Sequence, residues 1–357
     1  MKSLGPGELK VLRRLAIDPS LRKADLAQEL GVTRSAVTQV WQKLEKERSL
    51  AIRGSLDYGR LGYLLIFGWA CGVENSDVLD KFSGWLNSSS FVTRMTRSIM
   101  SSTMDVRVYF EAVVPVGSSE DWFSSQLTRF EKRPYSLNLK WGIASSVSHN
   151  MNLGIFNGQS WSFSNDFRFL ASIDAAKGYV EVLPVVGMMD LGDVRGPDPA
   201  DIVYGYSISE NYYTTARDVE ENLINAGLDP PTGRTIRRKL KRFRREVAQP
   251  YLDIDDIGLN RKLVVSLGDV GPKESQLSRL LKAQATVFPK ARVISGSNLT
   301  VLDLEVPPQV DWLTMSQILS GVAGKTSEIC TFIANDNEIE KRFESVISLS
   351  TLARRSS

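Results

Sequence analysis

The sequence predicts an α+β fold with two winged helix-turn-helix heads, each followed by a ferredoxin-like domain of order β-α-β-β-α-β. Three observations predict this fold. Residues 23–62 read as a short helix, a tight turn and a second helix with one polar face. Residues 63–144 alternate between strand and helix periodicity. Both patterns recur after residue 200 of the 357-residue chain, which indicates one unit present twice.

The first head is predicted to begin with a helix over residues 6–17, because Pro6 suits a first helical turn and Asp18-Pro19 ends the pattern. In the next helix Leu26 and Leu30 lie one turn apart. Gly31 then permits a tight turn, and Thr33 is a good N-cap. The helix after it carries an inward stripe at i, i+4 and i+7: Val37, Trp41 and Leu44. Residues 50–58 alternate in a way that predicts a hairpin wing.

The first ferredoxin-like domain is predicted from a change of period at residue 63. Its elements in chain order are a strand over 63–73, a helix over 76–86, strands over 91–100 and 104–111, a helix over 118–130 with a capping box of Ser118 and Asp121, and a strand over 137–144.

The second copy repeats these spacings. Val219 and Leu223 correspond to Leu26 and Leu30, and a stripe of Ile236, Leu240 and Phe243 corresponds to the first stripe. The predicted elements that follow are a strand over 262–267, a helix over 274–285, strands over 291–295 and 299–306, a helix over 311–322 and a strand over 328–334.

The predicted domain boundaries follow from these elements. They are 1–60 for the first head, 61–148 for the first ferredoxin-like domain, 149–200 for a connecting segment, 201–258 for the divergent basic second head, 259–336 for the second ferredoxin-like domain and 337–357 for a C-terminal helix and tail. In the connecting segment, residues 166–176 suggest a helix, 179–186 a strand and 192–201 a linker. Because tethering raises effective concentration, the two ferredoxin-like domains are expected to pair inside one chain, and homodimers remain an alternative.

The composition excludes several classes. An apolar fraction of 42% is normal for a globular protein, and a net charge of +3 says little by itself. The two cysteines, Cys71 and Cys330, lie far apart and read as buried thiols. The longest apolar run, 63–73, is too short to cross a membrane, so we expect a cytoplasmic protein. No metal-ligand cluster or phosphate loop indicates a cofactor, and the single histidine, His149, reads as incidental.

The stretch DLAQELGVTRSAVTQVWQKLEKERSLAIRGSLDYGRLG, with the β-α-β-β-α-β unit after it, resembles the Lrp/AsnC (feast/famine) transcription regulators. The resemblance implies a ferredoxin-like domain of the RAM type that dimerises and binds an effector such as an amino acid. The family's Gly-x-x-Asp motif is half kept in each copy, so the effector candidates are Ser102, Asp105 and Gly296. A tandem copy of the unit departs from the family pattern.

Two sets of residues are predicted to contact double-stranded DNA. Those of the first head offer hydrogen bonds suited to base edges: Thr33, Arg34, Ser35, Thr38, Gln39 and Gln42. Those of the second head are cations suited to phosphates: Arg234, Arg237, Arg238, Lys241, Arg242 and Arg245. The alternatives are an ordinary polar helix face and a solvated basic helix.

The sequence therefore predicts a sequence-specific DNA-binding transcription regulator and no enzyme. Two alternatives stay open. One is an architectural chromatin protein that binds DNA with little sequence choice. The other is an enzyme on the same fold, because siroheme decarboxylases also resemble this family.

Overall fold

The computed structural model describes residues 3–72, 76–103, 105–162, 198–268, 282–323, 328–335 and 339–340. The fold is α+β. Its helices are Pro6–Ile17 (α1), Lys23–Leu30 (α2), Arg34–Arg48 (α3), Ser76–Ser88 (α4), Ser118–Glu131 (α5), Pro199–Glu210 (α6), Ala216–Asn225 (α7), Gly233–Glu246 (α8) and Trp312–Ala323 (α9). Its strands are Ala51–Leu56 (β1), Tyr63–Gly72 (β2), Val92–Ser101 (β3), Val106–Pro115 (β4), Asn138–Met151 (β5), Ala248–Asp253 (β6), Arg261–Gly268 (β7), Lys290–Gly296 (β8), Leu299–Val306 (β9), Glu328–Ala334 (β10) and Ile339–Glu340 (β11).

Eight strands from both halves of the chain form one closed antiparallel barrel. The order is β10-β7-β9-β8-β5-β2-β4-β3, and β10 pairs back onto β3. The two seams between the halves are β5 with β8 and β3 with β10. The two sheets expected in separate ferredoxin-like domains are therefore one sheet. Edge pairing accounts for this, since closure leaves no unpaired strand edge.

The barrel has an apolar layer on its outside and a mixed layer inside. Outside, α4 and α5 cover the first half, where the rings of Phe82 and Phe110 meet edge to face with centroids 5.8 Å apart. On the second half α9 packs against β10, and Met315 is buried there. The inner face carries large side chains that are fully buried, among them Phe67, Trp69 and Tyr109.

The helices of the two heads form as the spacing predicts. Gly31 ends α2 in the left-handed conformation with φ of 65°, which glycine adopts at little cost. The hydroxyl of Thr33 caps α3 by accepting from the Ala36 amide at 3.1 Å. The predicted inward stripes of α3 and α8 are buried in both heads: Val37, Trp41, Leu44, Ile236, Leu240 and Phe243.

The predicted hairpin wing is wrong. β1 pairs with β6 of the second head, from Ala51 opposite Asp253 to Leu56 opposite Ala248. The two heads thus share a two-stranded ribbon, and α6 of the second head packs on β1. The backbone amide of Tyr212 also donates to the Ile52 carbonyl at 2.8 Å. The heads are fixed to each other by main-chain hydrogen bonds.

Several local predictions differ from the structure. The strand predicted over 137–144 continues to Met151, since its second part pairs with β8. The predicted capping box of Ser118 and Asp121 does not form, because the N-cap of α5 is Gly117, whose amide donates to Glu120 at 3.5 Å. Helix α6 was not predicted, because it is buried on nearly all sides and shows no amphipathic stripe.

Other predictions lie wholly or partly outside the described residues. They are the helix over 166–176, the strand over 179–186, most of the helix over 274–285 and most of the C-terminal helix over 337–353, in which the two described residues, Ile339–Glu340, form a strand instead. Among the described residues, no helix is long and apolar enough to cross a membrane.

The backbones of β2 and β5 approach each other closely at Gly68, which allows a test of the barrel packing. A Cβ at this position of β2 would lie 2.4 Å from the Lys140 carbonyl oxygen on β5, so the backbone of β5 would have to move. We expect Gly68→Ala to lower the free energy of unfolding by about 1–3 kcal/mol. Gly84→Ala is the matched control, because a Cβ on that face of α4 meets no atom within 4 Å. It should raise stability by about 0.5–1 kcal/mol. Denaturant unfolding measures both variants, and equal effects would contradict the barrel packing.

Candidate active site

A cavity of about 760 Å³ lies between the β1–β6 ribbon and one end of the barrel. The ribbon forms its roof and the strands of both halves form its floor. The titratable side chains that line it are Arg53, Tyr58, Arg94, Glu111, His149, Glu210, Tyr251, Asp253, Asp255, Lys262, Lys290, Arg292, Asp303 and Glu305. This volume lies in the usual range for a small-molecule site.

Four charged side chains from both halves form a crossed cluster at the floor. In each half an arginine lies directly opposite an acid on the neighbouring strand: Arg94 opposite Glu111, and Arg292 opposite Asp303. The shortest ion pairs nevertheless cross between the halves. Arg94 Nη1 donates to Asp303, and Arg292 donates through both Nη atoms to Glu111, with 2.7 Å from Nη2 to Oε2. The repeat of this Arg–acid pair was the sequence signal that could have revealed the site.

The cluster is buried and ionised. Burial raises the pKa of Glu111, but the guanidinium of Arg292 lowers it by more. The pKa of Glu111 therefore lies below its ordinary value. Burial likewise raises the pKa of Asp303, but the guanidinium of Arg94 lowers that pKa below its ordinary value. The Tyr109 hydroxyl donates to Glu111 at 2.9 Å, and burial raises the pKa of Tyr109 well above its usual range. Glu111 therefore holds the two arginines and a neutral phenol in place.

A second group of ion pairs joins the roof to the barrel. Asp253 of the ribbon accepts from Arg53 Nε at 2.8 Å and from Lys290 Nζ at 3.1 Å. Lys290 also lies 2.8 Å from Glu305. Burial and Asp303 raise the pKa of Glu305 despite its contact with Lys290.

Charge in the cavity is nearly balanced. Five cations and six carboxylates line it: Arg53, Arg94, Lys262, Lys290 and Arg292, against Glu111, Glu210, Asp253, Asp255, Asp303 and Glu305. An anionic ligand must therefore compete with protein carboxylates for these cations.

His149 lies on the wall of the cavity, stacked on Tyr251 with ring centroids 3.8 Å apart and planes 8° apart. Its Nδ1 is buried with no hydrogen-bond partner among the described residues. Burial, with Arg292 and Lys290 nearby, lowers the pKa of His149 from 6.5 to about 3. The imidazole is therefore neutral at physiological pH. No pattern in the sequence singles out this residue, because a lone histidine shows no ligand spacing.

A smaller cavity of about 420 Å³ adjoins the first. Both are lined by Ser55, Leu56, Tyr58 and Val147. The smaller cavity also contacts the end of α8 through Arg245 and Glu246. Burial raises the pKa of Tyr58, so its phenol keeps its proton where the two cavities meet.

The residues predicted to contact DNA lie on two separate helices, away from the cavity of about 760 Å³. In the first head Thr33, Arg34, Ser35, Gln39 and Gln42 are exposed, and half-buried Thr38 donates its hydroxyl hydrogen to the Arg34 carbonyl at 2.8 Å. In the second head Arg234, Arg237, Arg238, Lys241, Arg242 and Arg245 are all exposed on α8.

The three effector candidates do not come together. Ser102 and Asp105 lie in the β3–β4 connection, where the Asp105 carboxylate accepts from the Cys71 thiol at 2.7 Å. Gly296 lies on β8, which is three strands from β4 and four from β3 around the barrel. Within the described part of the chain, no group of three or more histidine, cysteine or acidic residues is arranged to hold a metal ion.

No protein-family model matches the sequence, and no curated protein matches it. Among solved structures, the siroheme decarboxylase NirDL is 13% identical, covers 98% of this chain and all of its own, and has a TM-score of 0.49. The same enzyme in complex with an iron-uroporphyrin III analogue is 15% identical over 98% of this chain and 99% of its own, also at 0.49. An AsnC family transcriptional regulator from Agrobacterium tumefaciens is 22% identical over 40% of this chain and 91% of its own, at 0.27.

Two sequence-based predictions are overturned by this comparison. Two solved structures that extend over nearly the whole chain are those of an enzyme, whereas two structures of regulators extend over about 40% of it. The prediction of a DNA-binding transcription regulator and the prediction of no enzyme are both wrong. The physical reason for the first error is that a helix-turn-helix pattern with a polar face does not reveal that the two heads join as the roof of a cavity.

Replacing Glu111 tests the crossed cluster. Glu111→Gln keeps the side-chain volume but leaves Arg292 and Arg94 near a neutral group in a buried place. We expect a loss of about 3–5 kcal/mol in the free energy of unfolding. The control is Glu210→Gln, since that carboxylate is 41% exposed and lies 3.5 Å from Arg53. Its loss should stay below about 1 kcal/mol. Losses of equal size would show that the cluster does not hold the barrel together.

The single histidine allows a direct test of its environment. Proton NMR should show imidazole signals that do not shift between about pH 5 and 8, because the folded pKa is about 3. An unfolded histidine titrates at 6.5. His149 therefore contributes to stability above that pH, and the contribution declines as pH falls toward 3. A titration with a midpoint near 6.5 in the folded protein would contradict the buried, neutral imidazole.

Proposed function

We propose that this chain is an enzyme that binds a carboxylated iron tetrapyrrole in the cavity of about 760 Å³ and removes carboxyl groups from it. The ligand class and the reaction are those named for the two neighbours that cover nearly the whole chain. The support in this chain is one observation: a neutral imidazole without a hydrogen-bond partner at Nδ1 lies on the wall of a large cavity that arginines from both halves also line.

His149 is the proposed contact for the iron of the substrate. Iron accepts a neutral imidazole nitrogen as a ligand, and low pKa keeps this imidazole neutral. The stack on Tyr251 fixes the plane of the ring before a ligand arrives. Because the side chain is already ordered, little conformational entropy is lost on binding.

The proposed contacts for the carboxylates are Arg53, Arg94, Lys290 and Arg292. A guanidinium can bind a carboxylate through two parallel hydrogen bonds, which fixes its direction as well as its position. In this structure each of the four cations is paired with a protein carboxylate. Ligand carboxylates therefore share or replace these partners. Arg53, at the edge of the roof and 32% exposed, is the most accessible of them.

The chemistry needs no oxidant. The bond between carbon and the carboxylate breaks, CO₂ leaves, the electron pair stays on the carbon, and one proton joins that carbon. Tyr58 and Tyr251 face the cavity as phenols that hold their protons, since burial raises both pKa values, that of Tyr251 to about 12. They are the proposed proton donors.

We also propose that the chain arose as a tandem copy of one unit, a head with a wing strand followed by a four-stranded ferredoxin-like sheet. The support is the matched Arg–acid pair in both halves and the equivalent order of strands around the barrel. In this proposal the two copies act as an internal dimer whose shared cavity is the active site.

Binding of iron-loaded and of metal-free uroporphyrin III distinguishes the proposed iron contact at His149 from the proposed carboxylate contacts. His149→Phe keeps an aromatic ring against Tyr251 and removes both nitrogens. We expect its affinity for the iron form to fall at least about tenfold, that is about 1.4 kcal/mol, with unchanged affinity for the metal-free form. Arg53→Gln should weaken binding of both forms by similar factors, because it removes a carboxylate contact. Absorbance titration measures both, and Lys46→Gln on the exposed side of α3 is the control.

Activity is tested by incubating the protein with siroheme under anaerobic conditions. Mass spectrometry should show products lighter by the mass of one or more CO₂ molecules, formed more slowly by Tyr58→Phe or Tyr251→Phe. Binding of the iron form that does not depend on His149, together with no loss of CO₂, would refute the proposed function.

A further inference from the structure

We propose that a stripe of cations on α8 attracts the anionic ligand and leads it toward the cavities, an inference that rests on the proposed function. The stripe consists of Arg234, Arg238, Lys241 and Arg245, which follow one another at i, i+4, i+7 and i+11. This spacing places them on one face of the helix. All four are exposed.

Two other basic residues of α8 have partners within the protein, unlike most of the stripe. Lys239 pairs with Asp201, and its ammonium lies 4.7 Å from the Tyr204 ring centroid. Arg244 donates to the carbonyls of Tyr212 and Thr214 at 2.8 and 2.5 Å. These two hold the helix to its head. By contrast, no described residue forms an ion pair with Arg234, Arg237, Arg238 or Lys241, whereas Arg245 at the end of the stripe pairs with Glu246.

The stripe ends at the cavities. Arg245, in the last turn of α8, lines the cavity of about 420 Å³. That cavity and the larger one are both lined by Ser55, Leu56, Tyr58 and Val147. A helix of 14 residues is roughly 20 Å long, so the stripe carries positive charge over that distance to the edge of the site.

This arrangement of cations is better suited to attracting a distant anion than to binding it tightly. Inside the larger cavity, the cations are matched by carboxylates, so the cavity itself offers little attraction to a distant anion. A row of exposed cations beside a cavity raises the rate of encounter with a polyanion by about 10–10³-fold, and salt screens the effect. A tetrapyrrole with several carboxylates is such a polyanion.

The test is the association rate constant of iron-uroporphyrin III, measured by stopped flow at low and high ionic strength. The stripe variant replaces three stripe residues and their exposed neighbour Arg237, with Arg234→Glu, Arg237→Glu, Arg238→Glu and Lys241→Glu, and leaves Arg245 in its cavity. The control variant changes net charge equally, with Lys10→Glu, Arg34→Glu, Lys46→Glu and Lys81→Glu, all of them exposed residues away from α8.

We expect the association rate constant of the stripe variant to fall at least about tenfold at low salt and to approach that of the unaltered chain at high salt. Its dissociation rate constant should stay within about twofold, which also shows that the site is folded. The control variant should change much less. Equal losses in both variants, or an unchanged association rate constant in the stripe variant, would overturn this inference while leaving the proposed function intact. Absence of binding by the unaltered chain would overturn both.

Discussion

The crossed ion pairs at the floor of the cavity are the constraint on which the rest of the structure depends. Arg94 of the first half pairs with Asp303 of the second, and Arg292 of the second with Glu111 of the first. Buried charges are costly unless a partner neutralises them. Each half therefore supplies the partners for the other, and the buried charges are satisfied only when both seams are closed. The floor of the cavity exists because the halves meet in this way.

The same principle extends to the heads. Asp253 on β6 holds both Arg53 of the first head and Lys290 of the barrel, so one carboxylate fixes the roof above the floor. Pairing of β1 with β6 makes that roof continuous across the two copies. Wing strands that would otherwise lie at the outer edge of each head are thus part of an enclosed polar site, with His149 and Tyr251 on its wall.

Local sequence patterns were sufficient to predict most of the helices and strands. The helix over 6–17 and the strands over 299–306 and 328–334 have the predicted bounds, because a stripe or an alternation records burial on one face. Closure of the barrel was beyond such patterns, since pairing of β5 with β8 joins residues that are more than a hundred positions apart. The site was missed for a related reason: Glu111 and Arg292 look like ordinary polar positions of alternating strands until the fold places them together. His149 likewise stands out only once the fold stacks it on Tyr251.

In the proposed function, an iron tetrapyrrole binds between ribbon and barrel with its iron at His149. A crystal of the complex with iron-uroporphyrin III, measured at the iron absorption edge, tests it directly. We expect an anomalous peak inside the cavity, within bonding distance of a ring nitrogen of His149, with ligand carboxylates at Arg53 or Arg292. An iron peak elsewhere on the protein, with the cavity still occupied by its own ion pairs, would contradict it.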